Sequence, residues 1–413
     1  NRAFGTTTRE LDRIVEWLVS KKITHVAMES TGIYWVPLFN KLIEAGIDTK
    51  LLRAADVKNY TARKTDVNDA RWLMVIMRHD MVKPSYQITP ETRTLRDLSR
   101  FRSNIVSNSA RTVLRIQKHL ELMNLKLTEV LNDIMGLSGR RIIEAMLGGC
   151  RDSRALAELM DPRCRKSKDE MADALQCTWE EHGMFILECL YKDYLSQQAT
   201  IDKVDARIRE CLDVIRERVL EENEGVGKEV VRAGKKVRVS KNGMKDCDME
   251  EYSTHMLGVN IVAIDGLSGL SAYQLIAELG RGFTRHFETP ARFCSWCGLV
   301  PNDRITGGRK VSSAMKTQTN KVGLILKNCA QTVARQDSRL GSYYRRMKAK
   351  GGGKFAVIAT ANKIARILYA MVKDQTEYNP EAISVSDEKF LDIRIKAAQK
   401  RLDQLLKEKN KIA

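Results

Sequence analysis

The stretch "ITHVAMESTGIYWVPLFNKLIEAGIDTKLL", Ile23 to Leu52, decides the fold. "ITHVAM" reads as a strand, "YWVPLFNKLIEAG" as a helix stopped by Gly46, and "DTKLLR" as a second strand. Strand, helix and strand in that order make a βαβ unit on a parallel sheet. The first strand runs straight into an acid, Glu29, and ligands of such sheets gather at the carboxyl ends of strands. Further on, "DVNDARWLMVIMRHD" reads as a helix entered through Asp66, with Asp69 one turn on and facing the same way. Carboxylates so placed are what Mg²⁺ needs, since it takes oxygen ligands and keeps waters and phosphates as partners. The same letters fit plain structural roles: Asp66 as a helix cap, Asp69 as a first-turn charge, Glu29 as an acceptor for a backbone amide. Ahead of this unit, "TTTRELDRIVEWLVSKK" reads as a helix capped by Thr7 or Thr8, with Leu11, Ile14, Val15 and Leu18 as its apolar stripe.

At 413 residues the chain has room for two or three domains. Seventy Lys and Arg against 52 Asp and Glu leave a charge of +18, which points to polyanions and away from a small neutral substrate. A Lys-rich solvated surface fits the charge alone. No apolar stretch approaches the ~18–20 residues of a membrane span, and the first residues do not resemble a signal peptide, so no membrane partner is expected. The nine cysteines are scattered and odd in number, as reduced thiols of a cytoplasm are. "CSWC" (Cys294, Cys297) lacks a second ligand pair and reads as buried cysteines flanking Trp296 rather than as a zinc site.

From Glu91 to about Asn132 the chain is nearly free of Gly and Pro. Leu95, Leu98, Ile105, Val113, Ile116 and Leu120 keep the stripe of a long helix or coiled coil. Arg93, Arg96, Arg100, Arg102, Arg111 and Arg115 ride on it, either lining a nucleic-acid backbone or solvating a coiled-coil face. A second helical region, roughly residues 168–222, is expected to pack antiparallel on the first and to support dimer formation. Val226 to Asp246 is basic and glycine-containing and reads as a flexible linker or hairpin at a domain boundary. "VNIVAIDGLSGLSAYQLIAELG" reads as helix–hairpin–helix, with Gly266 and Gly269 bracketing a turn whose following amides can receive a DNA phosphate. A packing helix–turn–helix explains the same letters. "RRMKAKGGGK" lacks P-loop spacing and reads as a loop against phosphate backbone. The final segment, "EKFLDIRIKAAQKRLDQLLKEKNK", reads as an amphipathic basic helix.

Taken together, "AMESTGIYW", "LIEAGIDTKLL" and "VKNYTARKTDVNDARWL" closely resemble the amino-terminal domain of the DEDD-type insertion-sequence transposases. "IDGLSGLSAYQLIAELG", "FETPARFCSWCGLVPNDRITGGRKVSS", "GSYYRRMKAKGGG" and "ATANKIARILYAM" resemble their carboxy-terminal domain. The resemblance implies an α/β RNase H-like (RuvC-like) domain over 1–88 and a long helical or coiled-coil insertion over 89–225. A basic linker over 226–257 follows. A mainly α transposase domain with a helix–hairpin–helix-like element then covers 258–375, and a basic helix 376–413. Glu29, Asp66 and Asp69 fall on the second, third and fourth acids of the DEDD set. The first acid belongs to an upstream "GIDVSK"-like strand, which a chain starting at Asn1 is expected to lack. Where the family carries a nucleophilic serine in a Ser-Gly-Gly-Lys/Arg turn, this sequence has Thr306 in "ITGGRK", followed by Gly307, Gly308, Arg309 and Lys310. By itself Thr306-Gly307-Gly308 is an ordinary turn, and a threonine is a bulkier, stiffer nucleophile than a serine.

The implied activity is Mg²⁺-dependent DNA cleavage and exchange by a recombinase of a mobile element. The implied partners are DNA (element ends and target), a structured guide RNA and further copies of the chain as a dimer or tetramer, in a prokaryotic cytoplasm at the nucleoid. Two alternatives stay open: a junction-resolving metal nuclease with no covalent intermediate, and a catalytically incomplete nucleic-acid-binding relic.

Overall fold

The computed structural model describes residues 2–30, 32–53, 57, 66–222, 228–234, 242–315 and 320–382, with 392, 395–396, 398–403 and 405 of the final helix. They fall into two compact units, Asn1–Pro90 and Glu91–Ala413.

The first unit opens on α1 (Thr8–Ser20), with Thr7 at the N-cap position as expected, though its side chain makes no capping hydrogen bond. Asp12 of α1 pairs with Lys41 of α2 (Trp35–Glu44). β1 (His25–Glu29) and β2 (Asp48–Leu52) run parallel, His25 opposite Asp48 and Glu29 opposite Leu52, so α2 is the crossover of the expected βαβ unit. Gly46 takes φ +73°, and a Cβ there would meet nothing. Its glycine is therefore required by the left-handed turn that stops α2, not by crowding. α3 (Asp66–Arg78) lies on β1. Its Trp72, Leu73 and Ile76 pack with Leu52 and Ala27, and Trp72 Nε1 donates to the Val57 carbonyl at 3.0 Å. Beyond α3, the Ser85 amide donates to the Leu51 carbonyl at 2.7 Å, laying more backbone along β2.

In the second unit α4 (Pro90–Leu122) holds the whole expected stripe but ends before the Gly- and Pro-poor run does. It stops because Asn124 adopts φ +60°, and Lys126 and Thr128 then fold back onto the Glu121 carboxylate at 2.5 and 2.8 Å. The Lys126 and Thr128 hydrogen bonds hold Glu121 below the usual carboxylate range. Four short helices follow: α5 (Leu127–Val130), α6 (Leu137–Leu147), α7 (Ser153–Ala157) and α8 (Lys168–Ala174). They enclose a core that includes Leu120, Leu125, Ile142, Met146 and Leu187. The helical region expected over roughly 168–222 is made of two elements, α8 and the long α9 (Glu181–Glu222). α9 does run antiparallel to α4. Arg102 bonds Asp205, Ser109 bonds Gln198, Thr112 bonds Asp193, and His119 bonds the Gly183 carbonyl, so one chain ascends as the other descends.

The linker expected over 226–257 is not free where it is described. Arg232 pairs with Asp248, and the Ala233 amide donates to Glu250. The buried Asn260 clasps the Val231 carbonyl at 2.9 Å. Its last part is α10 (Met249–Leu257), capped by Asp248 through the amides of Glu250 and Glu251. The remaining helices are α11 (Gly269–Leu279), α12 (Phe283–His286), α13 (Pro290–Trp296), α14 (Lys321–Val333) and α15 (Arg339–Asp374). Between α13 and α14 lies an antiparallel hairpin, β3 (Arg304–Thr306) and β4 (Arg309–Ser312). Phe283, Phe287, Phe293, Trp296 and Tyr369 form an aromatic cluster, with the Tyr369 hydroxyl on the Phe287 carbonyl. "RRMKAKGGGK" is not a loop: it belongs to α15, bent at Gly352, which alone leaves helical geometry at φ +80°, ψ 178°.

α15 also corrects the expectation about apolar length, because an 18-residue window in it is long and apolar enough to span a membrane by composition. Half of that window is buried inside the protein, and Ala361, Ile364, Ala365 and Leu368 are wholly enclosed, as in a core helix. Of the expected final basic helix, the described residues are helical and exposed.

Candidate functional site

Two of the three expected metal ligands lie on elements that pack together, β1 and α3. Strand periodicity puts Glu29 on the same face of β1 as Ala27, and Ala27 packs against the apolar stripe of α3. Asp69 precedes Trp72, Leu73 and Ile76 by three, four and seven residues, which puts it on that same stripe. Both side chains are half-buried. The third residue, Asp66, begins α3, but its side chain lies outside the described residues. Among the described residues no three His, Cys, Asp or Glu side chains gather as a metal-binding group. Two carboxylates on a strand end and a helix stripe are oxygen donors on rigid elements, the donor chemistry a hard cation takes.

Thr306 belongs to the other unit, at the end of β3. Gly307 and Gly308 take φ +57° and +74°, both positive as a two-residue type I′ turn demands, and a Cβ on either would meet nothing. The register sets Thr306 opposite Arg309 and Ile305 opposite Lys310, so Thr306 and Arg309 share a face. Lys310 is tied to Asp303 at 2.9 Å. Thr306, Gly307, Gly308, Arg309 and Lys310 are all exposed. Ser312 accepts the Ala314 amide at 3.4 Å, a loop role.

The arginines of α4 do not act alike. Arg102 is 4% exposed and forms a two-pronged ion pair with Asp205. Arg93 is buried as well, and burial pulls its guanidinium below the ordinary value. Arg96 is drawn the same way by burial and then by neighbouring Arg100. Arg100 grips Glu278 of α11 with two 2.7 Å hydrogen bonds, which hold its pKa above the ordinary value. Arg93 and Arg102 are thus buried and Arg96 half-buried, while Arg100 is exposed but engaged by Glu278. Arg111 and Arg115, which lie further along α4, stay exposed.

Gly266 is likewise a packing residue. At φ +87° its missing Cβ would sit 2.2 Å from Val333 Cγ2 and 2.7 Å from the Cys329 carbonyl. Gly269 starts α11 after Ser268, whose hydroxyl takes the Ser271 amide, so one amide expected for a phosphate is already bonded. Cys294 and Cys297 are buried and unpaired, as expected. What the sequence reading missed is the set Asn108, Asp193 and Gln197, which sits beside Arg111 and Arg115 in one groove. Asn108 was legible at helical spacing from Arg111, but its partners from α9 lie some eighty residues away.

Comparison with known proteins bears on two stretches of the chain. Residues 1–125 match the transposase family profile DEDD_Tnp_IS110, and residues 260–345 match the profile described as transposase, IS116/IS110/IS902 family. A Pseudomonas aeruginosa protein described as a probable family 20 transposase is 29% identical over 126 residues, covering 29% of this chain. The matched part spans 36% of that relative's length.

Proposed function

Because the chain belongs to the IS110-type transposases, we propose that it cuts and exchanges DNA strands at the ends of a mobile element and at its target. In this reading the βαβ unit with α3 on its sheet is an RNase H-like domain. Glu29, Asp66 and Asp69 would hold Mg²⁺, which would supply polarisation of the scissile phosphate. The single observation that carries the reading is the transposase family match over residues 1–125, which takes in Glu29, Asp66 and Asp69.

The chain's own residues do the rest. Thr306 Oγ attacks phosphorus, forming a phosphothreonine link and releasing a DNA hydroxyl. Arg309, on the same hairpin face, offers its guanidinium to the phosphate under attack. The two glycines keep the hairpin tip free of side chains, so a backbone as bulky as DNA can reach the hydroxyl. A structured guide RNA that selects the DNA by pairing, a dimer or tetramer of the chain, and work at the nucleoid of a prokaryotic cytoplasm complete the reading. The +18 charge supports the polyanionic partners.

Denaturing gels for a protein–DNA adduct test it. The parent and Thr306→Ser give an adduct with Mg²⁺, while Glu29→Gln, Asp69→Asn and Thr306→Ala give none. An adduct persisting in Thr306→Ala moves the nucleophile, with Ser312 and Ser313 the next to replace. Metal-dependent cutting by the parent with no adduct selects the junction-resolving nuclease instead.

A further inference from the structure

We propose that the groove between α4 and α9 at Arg111, Arg115 and Gln197 binds a single-stranded nucleic-acid segment, holding its phosphates and one of its hydrogen-bond donors. The proposal rests on the reading of the chain as a nucleic-acid enzyme, and deepens it by assigning a contact surface. The groove holds about 230 Å³ and is lined by Asn108, Arg111, Thr112, Arg115, Asp193 and Gln197. Asn108, Arg111 and Arg115 follow one another by three and four residues on a single stripe. The two arginines are therefore set ~6 Å apart along the helix axis. Both are exposed, and among the described residues neither enters an ion pair, in contrast to Arg100 and Arg102 of the same helix. Two like charges one turn apart repel, and an anion between them removes that repulsion.

The floor of the groove specifies more than charge. Thr112, 2% exposed, donates its hydroxyl to Asp193 Oδ2 at 3.0 Å. Gln197 Nε2 donates to the same carboxylate oxygen at 3.0 Å and to the Thr112 hydroxyl at 3.3 Å. These bonds fix the amide's orientation, because a flip would press its carbonyl oxygen against the carboxylate. In that orientation Gln197 Oε1 is buried with no hydrogen-bond partner among the described residues. A buried acceptor with no donor is unfavourable, so the groove asks for a ligand that brings one. Asp193 sharpens the demand: it disfavours a bare anion and favours an anion carrying N–H or O–H groups.

A nucleotide within a strand has both features. Its phosphates meet the guanidinia, and a base N–H or a ribose 2′-hydroxyl meets Gln197 Oε1 and Asp193. A duplex spends its base donors on pairing, so a single strand fits better.

The test uses the full chain in EDTA, with fluorescence anisotropy on a labelled 20-mer as single-stranded RNA, as single-stranded DNA of the same sequence, and as duplex DNA. In Arg111→Gln/Arg115→Gln the slope of log affinity against log salt for single strands falls by about 1.4, at ~0.7 per lost phosphate contact. Gln197→Met weakens single-strand binding about threefold to tenfold without changing the slope. Circular-dichroism melts confirm that each variant is folded. Stronger loss for RNA than DNA assigns the donor to the 2′-hydroxyl, and equal loss assigns it to the base. An unchanged slope in the double variant overturns the proposal, as does a loss confined to duplex DNA. Binding is read without cleavage, so its failure leaves the roles of Glu29 and Thr306 standing. A Thr306→Ala protein that binds normally but forms no adduct leaves this groove standing.

Discussion

Replacing one member of the Arg102–Asp205 pair should destabilise the α4–α9 helix pair far more than replacing both. Arg102 is 4% exposed and Asp205 7%, and Arg102 Nη2 lies 3.0 Å from Asp205 Oδ2, with a second bond from Nε to Oδ1. Arg102→Met keeps the aliphatic stem but strands the carboxylate, and Asp205→Leu strands the guanidinium. Breaking a buried pair this way costs about 3–5 kcal/mol, while exchanging the whole pair for apolar side chains is close to neutral. A cavity of about 320 Å³ bordered by Arg102, Asp205 and Arg209 admits water to one side of the pair. That relieves a stranded charge in part, and sets the expected single-variant loss near 3 kcal/mol. The double variant Arg102→Met/Asp205→Leu should lose less than about 1 kcal/mol, leaving a coupling of several kcal/mol.

A chain of two units has no single unfolding free energy, so the measurement must read these helices directly. Native-state hydrogen exchange of the α4 and α9 amides does so, since their opening free energy drops by the loss at the pair. A double variant that loses the sum of the two single losses refutes the coupling. The same proteins test what Arg102 is for. Once folded, Arg102→Met should keep the parental salt slope for nucleic acid, and a fall of ~0.7–0.9 would mean that Arg102 reaches a phosphate after all.

Two further outcomes follow from other parts of the second unit. Gly266→Ala should lower stability by at least about 2 kcal/mol, because its Cβ overlaps Val333 and its φ is left-handed; an unchanged thermal midpoint would deny the close approach. Burial pushes the Cys294 and Cys329 thiols up to about 11, so they gain reactivity only as pH climbs towards that value. At pH 8 their thiolate fraction is on the order of 10⁻³, and a disulfide reagent should modify exposed Cys189 while sparing both until the protein unfolds. Equal rates at all three in the native protein would contradict the burial.

The sequence was most legible where structure is made by near neighbours. Gly46 ends α2 through its own φ, strand alternation marks β1 and β2, and two consecutive glycines force the type I′ turn beside Thr306 whatever lies around it. The end of α4 is also made locally, by Asn124 in the left-handed region with Lys126 and Thr128 on Glu121, yet scarcity of Gly and Pro beyond it masked the stop. Spacing also made the six arginines of α4 look equivalent. What separates them lies far along the chain: Asp205 is 103 residues from Arg102, and Glu278 is 178 residues from Arg100. Gly266 was recognisable as a turn glycine, but the Val333 methyl that forbids any Cβ there comes from α14. Net charge therefore pointed to the class of partner before it could identify the contacts. A guanidinium is available to phosphate only when the fold brings it no carboxylate, and that condition is set by tertiary packing.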